Sequence, residues 1–132
     1  MPQPEGRKLF DAAKANDSAL VLKLLKQGAE LEWRHPDWNV WTALTIACNN
    51  GSYEAAEALC AHGADVDARS NTQSTPLMDA ACSGSTKICE MLLALGADPS
   101  LKNNQGFTAL DRARANNNPE CAALLQPVTP GS

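Results

Sequence analysis

The sequence has few of the residues from which catalytic and metal sites are built. It contains two histidines, and its eight glycines fall at turn positions rather than in a phosphate-binding loop. Cys60 and His62 are two residues apart on a predicted helix, so their side chains diverge and make a poor nucleophile–base pair. The five cysteines form no C-x-x-C pair, whereas a zinc site needs four converging ligands. We therefore expect no catalytic residues, no metal and no cofactor, and we expect that the protein is not an enzyme.

Clustered basic residues and long apolar runs are also missing. The 11 Lys and Arg residues against 15 Asp and Glu give a net charge of −4, which argues against a nucleic-acid partner because such binding rests on clustered cations. No apolar run approaches the roughly 18 residues of a membrane span, and no signal segment opens the chain, so we expect no membrane association. An odd number of cysteines at small or apolar positions indicates reduced thiols. The expected location is the cytoplasm, with the nucleus as the alternative.

What the sequence does contain is a repeat of 33 residues. The motif that begins at Thr42 returns at Thr75 and at Thr108, each time with a leucine two residues later and small residues after it. A second marker, Gly-Ala-Asp, occurs at 63–65 and 96–98, and Gly-Ala-Glu occurs at 28–30. A fixed period of this length is typical of one supersecondary unit stacked several times.

Each repeat predicts two short helices joined by a turn. The threonine is a good N-cap for the first helix, and Pro76 suits its first turn because the missing N–H has no partner there in any case. Gly51 and Gly84 end the first helix where the chain turns back. The second helix carries apolar residues at helical spacing, among them Ile88 and Leu92, which predicts one buried stripe in each repeat.

These markers resemble the ankyrin-repeat family, over about residues 7–126, and the chain has the size of the small four-repeat members. The resemblance implies an all-α solenoid of four helix-turn-helix repeats joined by short β-hairpin fingers, in which each repeat packs against its neighbours. The repeats are expected at about 7–37, 38–70, 71–103 and 104–126 within a single domain. We expect flexible ends at 1–6 and 127–132.

The resemblance also implies a function. Family members bind another protein through a concave face formed by the finger tips and the first helix of each repeat. The expectation is therefore a non-enzymatic protein–protein interaction module, an adaptor or regulatory binder that is a monomer on its own. Two alternatives remain open: a structural scaffold fragment of a larger protein, and a regulatory or chaperone subunit that inhibits a partner enzyme. The identity of the partner does not follow from the fold.

Carried over position by position, the resemblance places a set of partner-binding residues on the concave face. They are Trp38, Asn39, Trp41, Thr45, Asn49, Ser74, Met78, Gln105, Phe107 and Asp111. Within this set we expect Trp41 and Phe107 to flank a groove, and we expect Met78 to line its floor.

The first finger, residues 33–41, is the most unusual stretch of this face. It holds all three tryptophans and is two residues longer than the other fingers. We expect Trp33, at the base of the finger, to pack internally. Val40 and Gln73 stand where the last finger has Gly106, so we expect those two turns to differ in geometry from the last one.

Overall fold

A computed structural model describes residues 5–37 and 39–126. These residues form eight α-helices and no β-strand. The helices are α1 (Glu5–Lys14), α2 (Ser18–Lys26), α3 (Ala43–Asn50), α4 (Tyr53–Ala61), α5 (Pro76–Ser83), α6 (Thr86–Ala94), α7 (Ala109–Ala115) and α8 (Pro119–Leu125). The predicted all-α solenoid of four helix pairs is confirmed, with fingers that are hydrogen-bonded turns rather than strands.

The repeated threonines begin the helices as predicted. Thr42, Thr75 and Thr108 are the N-caps of α3, α5 and α7. Each side-chain oxygen accepts a hydrogen bond from the backbone N–H three residues later, at 3.2–3.3 Å. Gly51 and Gly84 then end α3 and α5 in the left-handed conformation, with φ of 70° and 75°. The local sequence therefore fixes both ends of these helices.

The helices stack in two rows. The odd-numbered helices contact one another in chain order, and the even-numbered helices form a second row beside them. The interior between the rows is apolar. Its largest side chains are Leu9, Phe10, Leu44, Ile46, Leu59, Leu77, Met78, Ile88 and Leu92. Each repeat thus buries its apolar stripe against its neighbours, as expected of a linear array.

The first repeat starts earlier than the sequence suggested, because α1 begins at Glu5 and includes Gly6. Gly6 is buried, and a Cβ at this position would overlap the indole of Trp33. The expectation of a flexible segment over residues 1–6 is therefore wrong at these two positions. The remaining residues of both predicted flexible ends, 1–4 and 127–132, lie outside the described residues.

Trp33 belongs to an aromatic cluster at the base of the first finger. Its ring lies 6.3 Å from Phe10 and 5.4 Å from His35, and the rings of Phe10 and His35 are 4.8 Å apart. Phe10 and His35 are buried, and Trp33 is half-buried against the core. This finger-base cluster (Phe10, Trp33, His35) confirms that Trp33 packs internally.

Three fingers connect the repeats, at residues 33–41, 68–74 and 101–107. A backbone hydrogen bond of 2.9–3.0 Å closes each one, from His35 to Trp41, from Ser70 to Ser74 and from Asn103 to Phe107. Neighbouring fingers are also bonded to each other. The N–H of Asn71 donates to the carbonyl of Asn39 at 3.0 Å, and the N–H of Asn104 donates to the carbonyl of Thr72 at 2.9 Å. The three fingers therefore form one connected layer.

The expected difference is wrong at the position that Gly106 occupies, although the first turn does differ from the other two because Asn39 is left-handed as well, with φ of 54°. Val40, Gln73 and Gly106 have φ of 57°, 63° and 82°, all in the left-handed region. Arginine side chains hold the first two turns: Arg34 donates to the carbonyl of Val40 at 3.2 Å, and Arg69 donates to that of Gln73 at 3.3 Å. These bonds help to hold a backbone conformation that residues other than glycine rarely adopt.

Candidate functional site

The surface that the fingers share with the odd-numbered helices corresponds to the predicted concave face, and it contains a pocket. The pocket has a volume of about 410 Å³ and a mostly polar wall. It is lined by Asn39, Trp41, Thr72, Ser74, Asp79, Asn103, Asn104, Gln105 and Arg112. We call it the groove pocket.

Asp79 gives the groove pocket a buried carboxyl group. Its side chain is 6% exposed, and the Ser74 hydroxyl donates to Oδ1 at 3.5 Å, while Oδ2 has no hydrogen-bond partner. Burial raises the pKa of Asp79 from 3.8 to about 7, against smaller lowering effects of Arg112 and of the Ser74 hydrogen bond. Loss of hydration disfavours the charged form, which explains the direction of the shift.

Arg112 is the second charged residue of the groove pocket. It is half-buried, and its Nη2 donates to the Sγ of Cys82 at 3.3 Å. Arg112 and Asp79 do not pair, since within 5–37 and 39–126 the one ion pair joins Lys8 and Glu5. The two opposite charges of the pocket are therefore near enough to influence each other, but they are not in contact.

Trp41 lines the same pocket and has an unpaired donor. Its ring is half-buried and packs against the core, and its Nε1 is buried without a hydrogen-bond partner. Most buried polar atoms in proteins are paired, so an orphaned donor and an orphaned acceptor in one pocket need an explanation. Pockets that bind a ligand typically contain a small number of placed polar groups of this kind.

Four of the predicted site residues line the groove pocket: Asn39, Trp41, Ser74 and Gln105. Phe107, the last residue of the third finger, is 46% exposed, and Asn49 is half-buried on α3, but neither lines the pocket. Trp38 lies outside the described residues.

The predicted roles of Thr45 and Met78 in the groove are wrong. Thr45 is 2% exposed, and its hydroxyl is bonded to that of Thr42 at 3.0 Å. Met78 is 1% exposed and belongs to the core, so it does not line the floor of the groove. This position of the motif faces the neighbouring helices. In the last repeat it holds Asp111, whose Oδ2 accepts from the N–H of Thr108 at 2.9 Å in a capping box.

The sequence interpretation missed Asp79 and Arg112. Both occupy the fifth position of the repeated motif, where the second repeat has the buried Ile46. The signal that could have identified them is a change at one position of successive repeats, from aliphatic Ile46 to acidic Asp79 and then to basic Arg112. Opposite charges at equivalent positions of neighbouring repeats are brought side by side by the stacking.

The described chain has other pockets outside the finger layer. A pocket of about 490 Å³ lies at the end of the array between α7 and α8, lined in part by Ala113, Pro119 and Ala122, away from the concave face. Within residues 5–37 and 39–126, no three His, Cys, Asp or Glu side chains are placed to hold a metal ion. None of the described helices has the length and apolar character needed to cross a membrane.

Comparison with known proteins agrees with this architecture. The family model for ankyrin repeats, in three copies, matches residues 9–103. A search of the curated proteins found no match to the sequence. The matched segment covers the second half of α1, the helices α2 to α6 and the first two fingers, and α7 and α8 continue the same stacking beyond it. The chain therefore belongs to the ankyrin-repeat family.

Proposed function

We propose that this protein is a non-enzymatic interaction module, an adaptor or regulatory binder that holds another protein on its concave face. Ankyrin repeats are generally protein–protein interaction modules, and the family is typically non-enzymatic. The observation that carries the proposal is the groove pocket, where Trp41 and Asp79 each keep a buried polar atom without a partner. A bound protein would supply the missing partners.

The construction of the concave face supports this role. Tryptophan and arginine are over-represented among the residues that dominate binding energy, and Trp41 and Arg112 line one pocket. The backbone hydrogen bonds between neighbouring fingers fix the pocket wall before a partner arrives. A prearranged surface loses less conformational entropy on binding, which favours affinity.

We further propose a monomer in the cytoplasm or the nucleus, with a protein as its partner and neither nucleic acid nor a membrane. All five cysteines are free thiols, and Cys48, Cys89 and Cys121 are buried in the core. Free thiols at these positions suit a reducing compartment.

Affinity capture with matched surface variants tests the proposed function. Gln105→Arg adds a long cation at the rim of the groove pocket, and Ala94→Arg adds the same group to an exposed position on α6 in the other row. We expect wild-type and Ala94→Arg protein to retain a common partner from cell extract. Gln105→Arg should reduce its capture at least about tenfold, equivalent to about 1.4 kcal/mol.

Circular dichroism of both variants controls for folding. Equal loss in both variants, or undiminished capture by Gln105→Arg, would contradict binding through the concave face. A single stoichiometric partner would favour a regulatory subunit, whereas a diffuse set would favour a scaffold.

A further inference from the structure

The groove pocket presents two opposite charges that do not neutralise each other. Asp79 on α5 and Arg112 on α7 occupy equivalent positions of neighbouring repeats. They line the same pocket without forming an ion pair. Any group that enters therefore meets an acceptor on one side and a cationic donor on the other.

The orphaned atoms define what an occupant must supply. The Nε1–H of Trp41 needs an acceptor, and the Oδ2 of Asp79 needs a donor. The guanidinium of Arg112 carries five N–H donors, and the structure shows one bond from it, to Cys82. A complementary occupant therefore has one donor group and an acceptor that can accept more than one hydrogen bond.

The net charge of the occupant follows from the same groups. A lysine or arginine side chain would pair with Asp79, but it would face Arg112 and leave the Trp41 donor unmet. A carboxylate would accept from Trp41 and Arg112, but it would face Asp79. A primary carboxamide is neutral and has both functions: an NH₂ group with two donors and an oxygen with two lone pairs.

We propose that the groove pocket binds the carboxamide side chain of an asparagine or glutamine of the partner protein. The carboxamide NH₂ donates to Asp79, and its oxygen accepts from Trp41 and Arg112. This inference rests on the proposed function of the concave face and specifies what that face recognises. Ser74 acts as a positioning residue, because its hydroxyl holds the other oxygen of the Asp79 carboxyl at 3.5 Å.

Entry of the side chain requires the rim to move. Both orphaned atoms are shielded from solvent, so an occupant can bond to them only after neighbouring side chains move aside. The rim residues Thr72, Asn104 and Gln105 are exposed. Exposed side chains change rotamer in picoseconds to nanoseconds, so this displacement needs no rearrangement of the helices.

A random-peptide display selection tests the proposal through a switch in specificity. It is made at pH 8, where Asp79 is ionised, since burial raises its pKa to about 7. Wild-type protein is expected to enrich peptides with Asn or Gln at one fixed position. Asp79→Leu leaves only donors and should enrich Asp or Glu there, whereas Arg112→Met leaves the acceptor and should enrich Lys or Arg.

A synthetic peptide from the wild-type selection then measures the contact directly. Replacement of its Asn or Gln by Ala should weaken binding at least about tenfold, measured by fluorescence polarisation. Trp41→Phe, which removes the N–H and keeps an aromatic ring, should weaken the parent peptide by a similar factor. The same variant should leave the affinity of the Ala peptide unchanged, as expected when one hydrogen bond joins the two sites.

The outcomes separate this inference from the proposed function. One outcome is that the selected peptides lose binding to Gln105→Arg protein and yet show no preference for Asn or Gln. This result would overturn the carboxamide site and leave the proposed binding face intact. The same preferred residue for wild-type, Asp79→Leu and Arg112→Met protein would overturn it too. Should either variant unfold, the Trp41→Phe measurement decides alone. Failure to select any binder would count against both ideas.

Discussion

The two described tryptophans of the first finger lie in regions of opposite character. Trp33 belongs to the finger-base cluster, where it packs against Phe10, His35 and the backbone of Gly6. Trp41, at the other end of the finger, lines the groove pocket with its Nε1 unpaired. The first region is stabilised by its own contacts. The second contains two buried polar atoms that make no hydrogen bond within the chain, each of which costs about 1–3 kcal/mol if it stays unpaired.

The two phenylalanines provide the strongest test of this contrast. Phe10, in the finger-base cluster, is 1% exposed, whereas Phe107, in the third finger, is 46% exposed. Phe10→Ala should lower the free energy of unfolding by about 3–5 kcal/mol through lost burial and a cavity. Phe107→Ala should change it by less than about 1 kcal/mol. Urea denaturation measures both, and similar losses would remove the distinction between the two regions.

The pH dependence of stability should reveal the unpaired carboxyl of Asp79. Its pKa is raised from 3.8 to about 7 in the folded protein, so the folded state binds more protons than the unfolded state between these values. Stability is therefore full near pH 4 and decreases as the pH rises to about 7, by up to about 4 kcal/mol at 1.4 kcal/mol per pKa unit.

Asp79→Leu is the control for this effect. Denaturation at pH 5 and pH 8 should show a loss of stability in wild-type protein and a nearly flat response in the variant. Glu54 and Asp98, whose hydrogen bonds lower their pKa values, stay ionised across this range and do not contribute. A flat response of the wild-type protein would mean that Asp79 is solvated or paired.

A smaller effect on stability is expected from the left-handed residues in the turns of the fingers. Val40 has a φ of 57°, a conformation that costs a side-chain-bearing residue about 1–2 kcal/mol. Glycine relieves this strain but gains backbone freedom in the unfolded chain, so Val40→Gly should stabilise the protein by about 0.5–1 kcal/mol. Gly106→Ala, with φ of 82°, is the reciprocal change and should destabilise it. Thermal unfolding compares them, and destabilisation by Val40→Gly would contradict the strain.

Thiol labelling of the native protein compares the accessibility of the five cysteines. Cys82, half-buried beside Arg112, should react first with a bulky reagent, followed at long times by Cys48 and Cys121, which are buried. Cys60 is half-buried, but burial raises its pKa to about 11, so little thiolate is present and its labelling should be slow. Mass spectrometry identifies the modified residues, and equal rates at all five would contradict the observed burial.

The sequence predicted the elements whose signals are local. Thr42, Thr75 and Thr108 begin helices because an N-cap needs only its own hydroxyl and the N–H three residues on. The 33-residue period then fixed the stacking, since equivalent residues of successive repeats must meet. Internal packing of Trp33 was predicted from its place at the base of the first finger, where the other two fingers have Ala68 and Leu101.

The candidate site was predictable only in part, because it depends on contacts between repeats. The burial of Met78 follows from the direction in which one side of α5 faces its neighbours, and the motif does not encode this. The left-handed φ of Val40 and Gln73 is held by Arg34 and Arg69, which lie elsewhere in the fingers. The unpaired state of Asp79 arises from burial beside an arginine that is near but not bonded.

The bonds that join neighbouring fingers carry a consequence for how such a chain can evolve. They use backbone atoms at matching positions, Asn71 to Asn39 and Asn104 to Thr72, so a duplicated repeat would inherit them whatever its side chains. An additional copy inserted between the third and fourth repeats could therefore extend the array without disrupting it. The same insertion would place one more repeat between Trp41 and Arg112, so these two residues would no longer line one pocket. Duplication of a repeat would thus keep the bonds between fingers and still divide the groove pocket, so the pocket depends on the order of the repeats more strictly than the fold does.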